Sequence, residues 1–327
     1  MYLAVFLVLF VLELVYFKIA DRYNIIDKPN HRSAHTEITL RGGGVIFPIA
    51  FLLFLGSQII QQKSLISPQN YFIFGIGLLA ICIISFIDDI LDLSSKIRLV
   101  FHFISVSLLL CFINAFQLLP IWSIPILFIV IIGILNAYNF MDGINGMTGL
   151  YSLVTLGSLL YINQNFIAFT DNNFIIYPII ASLVFLFFNF RKKAKCFMGD
   201  IGSMGVAFWI IALLALLILR AKDIKYVLFL SVYGTDVVLT ILERLKLKEN
   251  IFEAHRRHLY QLFSNEKKVS HLVVSASYAF LQLLINVIVI LLDLPIWLIF
   301  ASIIIPILII YLVIKTNIKK EIQSNKI

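Results

Sequence analysis

A chain of 327 residues that is 61% hydrophobic and only 13% charged, with a mean hydropathy of +0.99, is not an ordinary water-soluble domain, since such domains run nearer ~45–50% apolar and ~25% charged. One globular core of this length could not hide the excess, so lipid is the predicted solvent. The formal net charge of +8 then raises a question of topology before one of nucleic-acid binding, and no nucleic-acid partner is expected.

A membrane-spanning helix needs roughly 17–25 mostly apolar residues. In chain order such runs fall at about 1–17, 44–60, 70–87, 98–116, 119–138, 147–163, 174–190, 203–219, 224–242, 271–292 and 295–314. The expectation is an all-α, polytopic integral membrane protein of about 11 transmembrane helices (10–11), forming one domain over residues 1–327. The first run lacks a basic leader and a small-x-small cleavage site, and Glu13 interrupts it, so it is read as a retained helix. The weakest junction is Leu119-Pro120, between the fourth and fifth runs. Neither an internal repeat nor a soluble domain is evident, and the longest polar segments are about 18–43 and 243–270. Cys82, Cys111 and Cys196 are scattered without ligand spacing, which argues against a disulfide framework and a zinc site.

Eleven spans put the termini on opposite sides. With the N-terminus outside and the C-terminus inside, 22 of the 26 Lys and Arg residues fall in inside loops. Positive charge in short loops is retained on the cytoplasmic side, so this is the predicted orientation. It accounts for most of the net charge, with attraction to anionic membrane lipids or phosphate substrates added.

That orientation, drawn from Lys and Arg alone, also gathers the residues capable of chemistry. Asp88, Asp89 and Asp92 end the third span, with Arg98 following. Asn136, Asn139, Asp142 and Asn145 lie in NAYNFMDGINGM at the inner end of the fifth, and Asp200 lies in MGDIGS. His255, Arg256, Arg257 and His258 lie in EAHRRHLYQ, while His31, Arg32, His35 and Gly42–Gly44 fill the first inner loop. Carboxylates at a membrane boundary are costly unless paired, hydrated or bound to a cation. Asp and Asn oxygens suit a hard ion such as Mg²⁺, and histidine and arginine donors suit phosphate. Adjacent helical aspartates point about 100° apart and seldom serve one partner. Each cluster also has a plain reading: helix-end acid, an Asn-Gly turn, a helix cap, or a topogenic anchor. Glu13 and Asp236 sit inside spans, where ionisable residues are functional candidates by default, with the alternative that near the span ends they simply face water, and Asp171 is given no role. Together, in order and on one face, the clusters point to phosphoryl transfer, which depends mainly on positioning and charge neutralisation.

These residues resemble the polyprenyl-phosphate N-acetylhexosamine-1-phosphate transferases. The likeness runs through DKPNHRSAH…RGGG, DDILDLSSKIR, NAYNFMDGINGM, MGDIGS and the histidine/arginine loop, nearly the whole chain. The resemblance implies a phosphoglycosyltransferase that moves an N-acetylhexosamine-1-phosphate from a UDP-sugar to undecaprenyl phosphate, leaving UMP. It implies Mg²⁺, or Mn²⁺ in its place, held by Asn139 and Asp200, with Asp88 or Asp89 acting on the lipid phosphate. Asn145 matches the uracil-contacting position; many bacterial members carry DGIDG there, whereas this chain has DGING, as in the eukaryotic branch. Arg98, Arg256 and Arg257 resemble diphosphate contacts, His255 and His258 belong to the same loop, and Asn136, Asp142 and Asp92 complete the candidate set. The HRRHLYQ form looks like the subgroup that starts O-antigen chains in the bacterial inner membrane, with UDP-N-acetylfucosamine or a related sugar, and unlike the three-histidine loop of muramoyl-pentapeptide enzymes. A homodimer is left open. Two other classes are weighed: a Mg-dependent prenyltransferase, which would carry a second Asp-rich helix motif and release diphosphate, and a transporter, whose ionisable site would lie near the bilayer midplane.

Overall fold

The computed structural model describes residues 1–27, 38–61, 68–91, 93–250 and 255–324. Eleven long helices follow the eleven apolar runs: α1 (Tyr2–Arg22), α2 (Ile46–Gln61), α3 (Pro68–Leu91), α4 (Ser95–Phe112), α5 (Ile124–Met141), α6 (Met147–Asn165), α7 (Asn172–Asn189), α8 (Gly199–Ala221), α9 (Ser231–Lys246), α10 (His271–Leu291) and α11 (Ile296–Ser324). Among the described residues, ten helices are long and apolar enough to cross a bilayer by themselves. The exception is α6, which carries buried Thr148, Ser152, Thr155, Ser158 and Asn163.

Helix α6 can be that polar because it faces protein. It packs on α7 and α10, and several of its side chains find partners outside the helix. The Tyr151 hydroxyl donates to Gln282 Oε1 at 2.6 Å, Asn286 Nδ2 donates to Ser158 Oγ at 2.9 Å, and Asn163 Nδ2 donates to the Thr170 carbonyl at 3.0 Å. With no water in the bilayer core, polar groups there must find partners inside the bundle. The axis of the bundle is α8, with 83% of its span buried against 22% for α1, α5 and α11. Trp209 of α8 joins Phe51, Phe54, Tyr71, Phe74 and Phe174 in a cluster of tilted and edge-on rings, the favoured aromatic geometry.

Three boundaries depart from expectation. Helix α4 stops at Phe112, not near residue 116, because Asn114 turns left-handed (φ 56°) and a short turn, Ala115–Leu118, leads into Pro120. The ninth run opens as a 3₁₀ segment, Ile224–Leu230, before α9 begins. Helix α11 continues ten residues beyond Ile314, because Ile318 and Ile322 extend its apolar stripe at four-residue spacing onto Leu259 and Leu262. A two-stranded ribbon was not foreseen: β1 (Ile26–Asp27) pairs antiparallel with β2 (Thr39–Leu40), and Leu40 bridges to Cys196.

The ends of the bundle differ in content. At one end Tyr2 of α1 donates to Asn173 Oδ1 of α7 at 2.8 Å. At the other the ribbon, the glycine triplet and the α7–α8 loop meet: Phe197 N donates to the Leu40 carbonyl, Gly43 N to the Phe197 carbonyl and Gly44 N to the Met198 carbonyl, at 2.8–2.9 Å. The residues predicted to carry chemistry gather at this second end.

Candidate active site

Asp89, on the last turn of α3, turns into the bundle and meets the first turn of α8. Its Oδ1 accepts from Asp200 N at 3.1 Å and its Oδ2 from Ile201 N at 3.4 Å. A carboxylate fits there because the first N–H groups of a helix lack intrahelical acceptors and the dipole is positive at that end. Asp88 points away, accepting from Leu93 N at 2.7 Å and from Arg98 Nη1 at 2.8 Å. The two adjacent acids therefore serve different partners, as their ~100° separation on a helix requires.

Asp200 completes the centre. Asn139 Nδ2, from the C-terminal turn of α5, donates to its Oδ2 at 2.9 Å. Arg41 Nη2 lies 3.4 Å from Asp200 Oδ1 and 2.7 Å from Asp89 Oδ1, so one guanidinium spans both carboxylates. Burial opposes the Arg41 charge, yet the Asp89 and Asp200 carboxylates outweigh it and hold its pKa above the ordinary arginine value. Two glycine sites permit the approach. Gly199 is left-handed (φ 72°), and an added Cβ would meet Asp89 Oδ2. Gly44 and Gly202 pack backbone to backbone, where either Cβ would strike the other's Cα.

Other expected residues surround this centre without joining it. Asn145 is buried; its Nδ2 donates to the Arg191 carbonyl at 2.8 Å, and its carbonyl accepts from Ser275 Oγ at 2.7 Å. It ties the loop after α5 to the α7–α8 loop and to α10. Asn136 Nδ2 donates to the Ile132 carbonyl one turn back on α5. Asp142 caps the end of α5, and burial pushes its carboxyl up to about 7, reinforced by Asp200 and opposed by Thr148 and Arg41. Asp92, His31, Arg32 and His35 lie outside the described residues.

The histidine/arginine loop reaches the centre through Tyr260. The Tyr260 hydroxyl donates to the Phe140 carbonyl at 2.9 Å, beside Asn139, and its ring stacks on His258 at 5.7 Å between centroids. His258 is buried, with Nδ1 3.1 Å from Asp236 Oδ1. Arg257 pairs with Glu243 at 3.2 Å and with Glu249, so in this state its charge is spent within the loop. Arg256 lies between His255 and Arg257 in the same loop. Burial lowers the His255 pKa to about 4, helped by His258 and Arg244. Such a ring is neutral near pH 7. Consistent with neutrality, His255 Nδ1 accepts from Arg257 N at 3.3 Å.

Two residues escaped the reading of the sequence. Arg41 stood there as a topogenic charge, although the RGGG string marked the place. Asp236 stood as a lone intramembrane acid, and its pairing with His258 over 22 positions left no local trace.

The donor set is hard oxygen from two carboxylates and an amide, of the kind that suits Mg²⁺, which takes one or two protein carboxylates and leaves positions for phosphate. An oxygen-lined acid centre beside arginines, at one end of an apolar bundle, is the kind of arrangement phosphoryl transfer draws on. Residues 71–218 match the glycosyl transferase family 4 model. Over 278 residues the chain is 25% identical to a probable undecaprenyl-phosphate N-acetylglucosaminyl 1-phosphate transferase of Bacillus subtilis, covering 79% of this chain and 75% of that protein. It is also 25% identical to an undecaprenyl-phosphate alpha-N-acetylglucosaminyl 1-phosphate transferase of Thermotoga maritima, covering 76% and 75%. A phospho-N-acetylmuramoyl-pentapeptide-transferase of Petrotoga mobilis is 31% identical over a shorter stretch, 50% of this chain and 56% of that one. Over residues 71–218 the chain is similar to glycosyl transferase family 4, and together with these relatives the likeness supports a phosphoglycosyltransferase.

Proposed function

We propose that this enzyme transfers an N-acetylhexosamine-1-phosphate from a UDP-sugar to undecaprenyl phosphate, releasing UMP, on the cytoplasmic face of the bacterial inner membrane. The observation that carries the reading is the meeting of Asp89, Asn139, Asp200 and Arg41, from four separate elements, within hydrogen-bonding reach of one another. An oxygen of the acceptor phosphate bonds to the β-phosphorus of the donor. The bond from that phosphorus to the bridging oxygen breaks, and its electron pair leaves on UMP. The acceptor phosphate is largely ionised near neutral pH, with a second pKa of about 6, so no strong base is needed. Asp88, held by Arg98 and the Leu93 N–H, or Asp89, held by Arg41 and the first turn of α8, would orient the reacting phosphate.

Asp200 and Asn139 would hold Mg²⁺, which supplies charge neutralisation at the donor's phosphates. The HRRHLYQ loop favours a donor used to begin O-antigen or another cell-surface polysaccharide, and the names of the Bacillus subtilis and Thermotoga maritima relatives favour N-acetylglucosamine among the sugars to test. The decisive assay supplies purified protein with undecaprenyl phosphate, Mg²⁺ and a panel of UDP-N-acetyl sugars, with UMP and the lipid product identified by mass. Asp200→Ala should lower turnover at least about a hundredfold, the scale of losing one preorganised charge-stabilising group. Turnover near wild type would remove Asp200 from the mechanism, and inorganic diphosphate in place of UMP would overturn the transfer reaction.

A further inference from the structure

Away from the acid centre, Asp236, one turn into α9, is heavily bonded. Its Oδ1 faces His258 Nδ1, the Leu259 N–H and the Tyr311 hydroxyl, each at 3.1 Å, and its Oδ2 accepts from the Tyr278 hydroxyl at 2.7 Å. Both residues of the Asp236–His258 pair are buried, at 1% and 2% side-chain exposure. Carboxylate oxygens receiving that many donors act as acceptors, so the proton between the pair sits on His258 Nδ1. The other ring nitrogen, Nε2, is buried and has no hydrogen-bond partner among the described residues. A buried polar atom left unpaired is unfavourable, and here three elements hold it in that state: α9 through Asp236, α10 through Tyr278 and α11 through Tyr311. The ring also stacks on Tyr260, whose hydroxyl is bonded to the Phe140 carbonyl next to Asn139. The pair thus stands directly behind the acid centre, with one hydrogen bond unused.

We propose that Asp236 is a positioning residue for the transfer reaction, fixing His258 with Nδ1–H turned to Asp236 and Nε2 reserved for an oxygen of the donor's diphosphate. The inference rests on the transfer reaction proposed above and assigns a residue that none of its motifs includes. A proton on Nε2 would donate to the charge that builds up as the P–O bond lengthens. Asp236 never touches the substrate; it sets the tautomer and angle of the ring that does.

The test measures UMP release by purified full-length enzyme, with kcat and the donor KM determined separately. Asp236→Asn keeps the shape but presents an amide N–H where an acceptor is required. It should lower kcat about a hundredfold with donor KM changed less than about threefold. His258→Gln should do the same, and the double variant should fall no further, because residues acting as one unit are not additive. Turnover of Asp236→Asn within twofold of wild type, or a double variant whose loss is the product of the single losses, overturns the proposal. Should Asp236→Asn fail to elute as folded protein, His258→Ala decides. Added imidazole must restore its turnover at least tenfold, since the Asp236 cradle is intact, and failure to do so overturns the assignment. Wild-type protein that releases no UMP from any UDP-N-acetylhexosamine overturns the transfer reaction itself, a result distinct from a wild-type enzyme indifferent to Asp236.

Discussion

Arg41 shows how much one side chain depends on its surroundings for meaning. In the sequence it is one of 26 cations, most of them placed by topology. In the structure it joins acids that follow it by 48 and 159 positions. The aspartates themselves were legible, since an ionised carboxyl beside lipid costs too much to be left without a purpose. Asn139 entered through the family resemblance, since by itself its motif reads equally as a turn, and its amide lies 2.9 Å from Asp200 Oδ2. Asn145 was read as a ligand contact, and the structure commits its amide N–H to the Arg191 carbonyl. Asp142 carries a prediction at this scale. Burial raises its carboxyl from 3.8 to about 7, so between those values the folded protein holds a proton that the unfolded chain has released. Stability should therefore fall as pH rises through that window. Asp142→Asn, neutral throughout, should flatten this part of the profile. Melting temperatures in detergent at pH 5 and pH 8 would show it, and an unaltered difference between the two would refute the assignment.

Among the elements, the closest approach is made by the turn before α2 and the first turn of α8. Gly44 lies in the 3₁₀ turn Gly43–Val45, and its hydrogen bond to the Met198 carbonyl at 2.9 Å ties that turn to the residue before Gly199 and Asp200. Gly44→Ala would drive a methyl into the Gly202 backbone. Overpacking of this kind costs about 1–3 kcal/mol, and here it also displaces Asp200, so both thermal stability and turnover should drop. Gly56→Ala, in α2 with nothing near the added methyl, is the matched control and should stabilise slightly or do nothing. Equal behaviour of the two variants would mean that the glycine contact does not set the position of Asp200. The glycines were visible in the sequence as permission for close approach. Which glycine meets which was not, because the partners are supplied by different helices.

For the molecule as a whole, the alternation of spans places the α3–α4, α5–α6, α7–α8 and α9–α10 connections at the end where the first polar loop folds. If positive charge orients the chain as expected, an N-terminal tag will be accessible in intact cells and a C-terminal tag only after permeabilisation. Tags on the same side would break the alternation, and the reverse pattern would invert the face on which the acid centre opens. Composition alone determined that this chain lives in lipid, because apolar excess on this scale has no other stable disposition. The apolar runs determined how many long helices form, and the charge between them predicted which motifs share an end. What only the tertiary structure decided is the pairing: Asp89 with the N-terminus of α8, Arg41 across two acids, Asp236 behind His258. Such pairings are set by helix rotation and helix-to-helix packing, and no local pattern in the sequence encodes the angle at which one helix faces another.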